Sequence, residues 1–201
     1  MTPGKAYEHA KKYGPSDKTR KIACQESLYA YLYAKDTDKC PHKDTRKAAC
    51  RFPQYAYDYA KYVDECPRDD TREAACKDTY WAYWYAFNID KCPRENTRVS
   101  ACKSPEWATW YALDVDECPR KDTREAACKS PLEAYYYALN IDKMPRKDTR
   151  EAACKSPKVA YWYARNIDKY AREDTWLAVK DTKYEEEYRK LFNKLMKEEI
   201  I

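Results

Sequence analysis

Ten cysteines and two histidines are the residues of this chain with the most reactive side chains. The cysteines fall into two columns. Cys24, Cys50, Cys76, Cys102, Cys128 and Cys154 recur every 26 residues, and Cys40, Cys66, Cys92 and Cys118 form a second series at the same spacing. Met144 and Tyr170 take the next two places of that second series. Three chemistries compete for them. Disulfides would join partners 16 apart (50 and 66) or 10 apart (66 and 76), and spacing alone does not choose. Either scheme closes four bridges and leaves two thiols. Free thiols buried as small hydrophobes are the second reading, and Met and Tyr as stand-ins suit it. Metal binding is the third and weakest, because no CxxC occurs and only His9 and His42 are at hand. The density of cysteine favours disulfides and a reducing compartment would favour thiols, so these two stay level. Both are structural roles, and neither is catalysis.

Other catalytic patterns are missing. Two glycines cannot form a phosphate-cradling loop. No GxSxG, HExxH or kinase pattern occurs. His42 stands in "KCPHKDTR", at a place where other units have Arg, so it reads as a surface substitution. No acidic pair stands out as breaking the repeat, and the departures at Phe52-Pro53, Val99-Ser100 and Met144 read as drift. The expectation is a chain without enzymatic activity, cofactor or metal.

Charge and rings offer binding instead. One arginine column belongs to "DTR" (Arg46, Arg72, Arg98, Arg124, Arg150, with "NTR" at Arg98), and another follows proline (Arg68, Arg94, Arg120, Arg146, Arg172, with Ala in place of that proline before Arg172). An aspartate column (Asp64, Asp90 and equivalents) ends each aromatic segment, where negative charge opposes a helix dipole. Its matching period predicts a pairing with the "DTR" arginines. The arginines after proline could hold phosphates while bases stack on neighbouring rings. Alternatively their stems cover aromatic faces and their heads pair with acids. The net charge of +5 is small and spread along the chain, which favours the second role. A stripe of Trp81, Trp84, Trp107, Trp110, Tyr136 and Trp162 is the candidate anchor for a partner.

The elements that position these residues follow from the repeat. "PRKDTREAACKSP" stands at residues 119–131 and again at 145–157. Six 26-residue units span 18–43, 44–69, 70–95, 96–121, 122–147 and 148–173, after a partial capping unit at 1–17 and before a divergent segment at 174–201. Each unit reads as two short helices. The first is expected to start at Asp44, Asp70, Asn96, Asp122 or Asp148 as N-cap, with Glu73, Glu125 or Glu151 completing a capping box. The second starts at Ser104-Pro105, Ser130-Pro131 or Ser156-Pro157, with Ser as cap and Pro in the first turn. It runs about ten residues, until "CPR" stops it. It is apolar on more than one side. Ala recurs in pairs (82/86, 108/112, 134/138, 160/164), and a Tyr precedes each second Ala (33, 59, 85, 111, 137, 163). One such hairpin cannot bury its rings; stacked hairpins can. Residues 181–199, with Tyr184, Tyr188, Leu191, Leu195 and Met196 on one stripe, read as an amphipathic capping helix.

In style this pattern resembles the α-solenoids built from helical hairpins, such as tetratricopeptide and Sel1-like repeats. Their units are longer and their signature residues are absent. The resemblance implies an all-α, right-handed α-solenoid of tandem 26-residue helix-turn-helix repeats with a C-terminal capping helix, and a tendency to bind things. The functional expectation is a scaffold holding a protein or peptide. Alternatives are a module for nucleotides or single-stranded nucleic acid, and a spacer or self-assembling unit. No window approaches the ~20 apolar residues of a membrane span. No signal peptide is visible, so a cytoplasmic monomer or weak oligomer is expected; disulfides would point to secretion.

Overall fold

The computed structural model describes residues 1–198, with side chains described for 1–191 and for 193. Every regular element among them is helical, and the architecture is an all-α solenoid of repeated hairpins. Two compact units divide the chain, Met1–Ala101 and the part from Cys102 onward. In the first unit the helices are α1 (Pro3–Tyr13), α2 (Asp17–Ala23), α3 (Ser27–Leu32), α4 (Lys43–Ala49), α5 (Pro53–Tyr59), α6 (Asp69–Ala75), α7 (Thr79–Tyr85) and α8 (Glu95–Ala101). In the second they are α9 (Pro105–Asp114), α10 (Lys121–Ala127), α11 (Pro131–Tyr137), α12 (Lys147–Ala153), α13 (Pro157–Tyr163), α14 (Glu173–Val179) and α15 (Glu185–Glu198). Odd-numbered helices carry the rings, and even-numbered ones carry the "DT" start, except α2 with "DKT" and α8 with "NT".

Each even helix packs more extensively on the ring-bearing helix before it than on the one after it, so the tight hairpin runs ring helix first. Ring helices also lie against the next of their kind, α3 on α5 and α5 on α7 in one unit, α9 on α11 and α11 on α13 in the other. The core is Tyr against Ala. Tyr33, Tyr59, Tyr85, Tyr111, Tyr137 and Tyr163 are fully buried, as are Ala23, Ala49, Ala75, Ala101, Ala127 and Ala153. Small residues on the even helices let the rings approach closely, which is how a chain so poor in aliphatic residues reaches protein-like packing.

The helix starts differ from the expected ones. Even helices begin one residue before the Asp or Asn: the N-cap is His42, Arg68, Arg120, Arg146 or Arg172. The Asp still serves the helix end, since Asp70, Asp122 and Asp148 accept the N–H of the following Thr at 2.9–3.0 Å. The capping itself comes from elsewhere. Tyr85 Oη accepts the N–H of Arg68 at 3.0 Å, donates toward its carbonyl at 3.1 Å, and lies 2.8 Å from Thr71 Oγ1. Thr71 Oγ1 in turn reaches that carbonyl at 3.2 Å. Two hydroxyls from different helices thus satisfy groups that a helix end leaves open. Glu125 and Glu151 form no capping box; they pair with Lys121 and Lys147 one turn back, at 3.7 and 3.6 Å. Among the "SP" serines, Ser130 bonds the N–H of Glu133 at 3.5 Å, while Ser104 and Ser156 make no side-chain cap bond.

The helix ends differ too. Ring helices α3, α5, α7, α11 and α13 continue through a π-helical turn (Tyr33–Asp38, Ala60–Asp64, Ala86–Asp90, Ala138–Asp142, Ala164–Asp168). Six ring helices stop at a left-handed Lys or Glu, before Cys-Pro at Lys39, Glu65, Lys91 and Glu117, before Met-Pro at Lys143 and before Tyr-Ala at Lys169, with φ between 52° and 62°. Glycine would be the usual choice there. Helix α9 is the exception that stays α-helical to Asp114.

At the C-terminal end, α15 stands where another ring helix would. Tyr188 is buried, and Tyr184 and Leu191 pack beside it on Tyr161 and Val179. The side chains of Leu195 and Met196, and residue 199, lie outside the described residues.

Candidate functional site

The aspartate column pairs with the "DTR" arginines as the shared period predicts. Arg72 grips Asp90 through Nε and Nη2 at 2.9 and 2.7 Å. Arg124 does the same to Asp142, at 3.0 and 2.7 Å. Arg46 and Arg150 instead divide themselves between two acids, Asp64 with Asp70 and Asp168 with Asp174. One buried oxygen of Asp64 and one of Asp168 are left without a partner, and burial pushes both carboxyls above their ordinary range. Each of these aspartates is buried against its own arginine, so the column is structural.

In the second arginine column Arg68, Arg94, Arg120 and Arg146 are exposed and Arg172 is half-buried, and Arg68, Arg120, Arg146 and Arg172 each face an acid, Arg172 lying 3.2 Å from Asp168. Arg68 lies 3.8 Å from Asp70, Arg120 lies 3.5 Å from Asp122, and Arg146 lies 3.5 Å from Asp148. This is the arrangement in which arginine heads pair with acids, and it leaves little free charge for a phosphate.

All ten cysteines are free. Cys24, Cys50, Cys76, Cys102, Cys128 and Cys154 are half-buried. Where they close helices α2, α4, α10 and α12, burial pushes their thiols up: Cys24 and Cys128 to about 11, Cys50 and Cys154 to about 12. Such thiols hold a proton and are poor nucleophiles. The second column fits a buried-thiol role poorly, since Cys40, Cys66 and Cys118 are exposed and Cys92 half-buried. No disulfide joins them, and no cluster among the described residues could hold a metal ion.

The aromatic stripe splits in two. Trp81 and Trp84 are half-buried on the cluster of Tyr57, Tyr85 and Ile89. Trp162 packs on Tyr135, with Lys158 Nζ 4.5 Å over its ring. Trp107 is half-buried. Only Trp110 and Tyr136 of the six stand well out, at 45% and 40% exposure. These two flank one hollow of about 440 Å³ on α9 and α11, whose walls include Glu106, Thr109 and Glu133.

The hollow has a specific origin. In the first unit ring helices are tied by ring pairs 24 residues apart: Tyr31 stacks on Tyr55 at 6.5 Å, and Tyr57 meets Trp81 at 5.2 Å. Near the C-terminal end Tyr161 stacks on Tyr184 at 6.2 Å. Between α9 and α11 the same two places hold Thr109 and Glu133. Two rings are replaced by a hydroxyl and a carboxyl, and the space they would fill is the hollow. Burial raises the carboxyl of Glu133, Glu106 raises it further, and the Thr109 hydroxyl offsets part of this. That hydroxyl has one proton, which it also directs to the Pro105 carbonyl at 2.9 Å. Neither Glu106 nor Glu133 is in an ion pair with a described residue.

No known protein family matches. No family model fits this chain, and no curated protein or solved structure is significantly similar to it. The site therefore rests on its own geometry.

Thr109, Glu133 and Glu106 did not stand out in the sequence. Each position looks like ordinary variation within its own column. The signal is that two ring columns break in consecutive units at the one offset, 24 residues, that places the two breaks opposite each other.

Proposed function

We propose that this chain is a binding module without chemistry of its own, and that the ring-bearing helices of its second unit hold an extended peptide or a segment of a partner protein. The observation that carries this reading is that Trp110 and Tyr136 are both exposed and both line one hollow of about 440 Å³. That volume lies in the range of ligand-accepting clefts. Trp and Tyr are also the side chains that most often anchor interfaces, offering large contact area at low entropic cost. The expected anchors narrow accordingly: Trp81, Trp84 and Trp162 support the core, and Trp110 and Tyr136 are free to meet a partner.

The nucleic-acid reading has less support. Arg68, Arg120 and Arg146 each sit within 4 Å of an aspartate, so a phosphate would have to displace an acid. No helix among the described residues is long and apolar enough to cross a membrane.

The test is selection of peptides from a random library on the immobilised full chain, with the variant Trp110→Ala/Tyr136→Ala as counter-selection. The reading expects enriched peptides that lose at least about tenfold in affinity on the double variant while its helical content is unchanged. Enrichment of nothing, or of peptides that bind both forms equally, contradicts it. Oligonucleotide binding that weakens steeply with salt would transfer support to the alternative.

A further inference from the structure

Resting on that peptide-docking reading, we infer that the Trp110–Tyr136 hollow is built for a cationic side chain, the ammonium of lysine or the guanidinium of arginine on a bound peptide.

Three observations converge. The first is uncompensated negative charge. Glu133 is half-buried beside Glu106, and the influences on it are burial, that second carboxylate and the Thr109 hydroxyl. A partly desolvated carboxylate beside a like charge is unfavourable unless a cation arrives. The second is the ring pair. The faces of Trp and Tyr attract ammonium and guanidinium groups, Trp most strongly. The third is a contrast within the protein. After α3 and α5 the chain supplies its own cation: Lys35 Nζ lies 5.5 Å from the Tyr31 ring and 4.9 Å from Tyr62, and Lys61 Nζ lies 5.4 Å from Tyr57. The equivalent places on α9 and α11 hold Leu113 and Leu139. Neither place carries a cation, and no described lysine or arginine stands over the Trp110 or Tyr136 ring. An aliphatic stem would lie against Leu113, its charged end reaching Glu133.

The probes are N-acetylated, C-amidated lysine, arginine and norleucine, titrated into the full chain. Binding is followed on the Trp110 indole N–H resonance, assigned by its loss in Trp110→Phe. The two cations should move that resonance saturably, and norleucine should bind at least about tenfold more weakly. Glu133→Gln should remove that preference and leave norleucine unaffected. Equal affinity for norleucine, or no saturable shift with either cation at millimolar concentration, overturns the inference. Library-selected peptides separate its failure from that of the docking reading. If they bind at Trp110 without a basic residue and ignore Glu133→Gln, docking stands and the cation site falls. If neither the cations nor any peptide moves Trp110, both fall.

Discussion

Tyr188 Oη lies 2.7 Å from Thr175 Oγ1, thirteen residues away in the chain, where Tyr163 Oη reaches Thr149 Oγ1 at 2.8 Å across fourteen. The final helix has lost the repeat's sequence but kept its cap, one residue out of step. Tyr188 also approaches the Arg172 N–H and carbonyl, as Tyr163 does those of Arg146. Helix α15 thus packs on the hairpin before it as a ring helix does, with charged residues on its exposed side.

If the hydroxyl pair caps each even helix, removing one hydroxyl strands an N–H. Tyr137→Phe keeps the ring and deletes the group that accepts from Arg120 N–H at 2.9 Å. The expected cost is about 1–3 kcal/mol, read as a lower urea midpoint. Tyr13→Phe, at a residue 67% exposed, should change nothing measurable.

The arginine–aspartate pairs should divide by burial. Asp90 is fully buried against Arg72, so Asp90→Asn leaves a guanidinium largely uncompensated and should cost about 3–5 kcal/mol. Asp69 touches the same arginine at 2.5 Å but its side chain is 89% exposed. Asp69→Asn should cost less than about 1 kcal/mol in the same denaturation experiment.

The left-handed helix stops are a reserve of stability. Lys143 has φ 55°, a conformation that costs a residue with a Cβ about 1–2 kcal/mol and glycine almost nothing. Lys143→Gly should raise stability by about 0.5–1 kcal/mol after the added chain entropy of glycine is subtracted. A fall in stability would mean that the Lys143 side chain makes a contact worth more than the strain.

Thiol reactivity should follow the two columns. At pH 8 in the folded protein, iodoacetamide should label Cys40, Cys66 and Cys118 first. Cys50 and Cys154, pushed up to about 12, hold almost no thiolate at that pH and should react only on unfolding. Peptide mass mapping against time reads this directly. Uniform labelling would contradict the burial of the first column.

Much of the architecture was legible because a period repeats every constraint. The Arg72–Asp90 pairing could be inferred from two columns in step, and Tyr against Ala from helical spacing. The caps were misread because an aspartate beside "TR" is a familiar helix start, while the group that caps is a tyrosine fifteen residues on. The turns were hidden because no glycine marks them: Lys and Glu take the left-handed conformation where glycine would be the usual choice. The hollow was hidden for a different reason. Thr109 and Glu133 look unremarkable one at a time, and only knowledge of which columns face each other turns two substitutions into one site.

If Glu133 serves a bound cation, it is kept there at the expense of the fold. Folding raises the pKa of this carboxyl above its ordinary 4.5. Its contribution to stability is therefore most favourable below about pH 4.5 and declines as pH rises through the higher folded-state value. The direct measurement is the melting temperature of Glu133→Gln beside the unmodified chain at pH 7 and again at pH 4. The variant should melt higher at pH 7, and the gap should narrow or vanish at pH 4. A variant that melts lower at pH 7 would show Glu133 to be part of what holds α9 and α11 together, and the site would lose its basis.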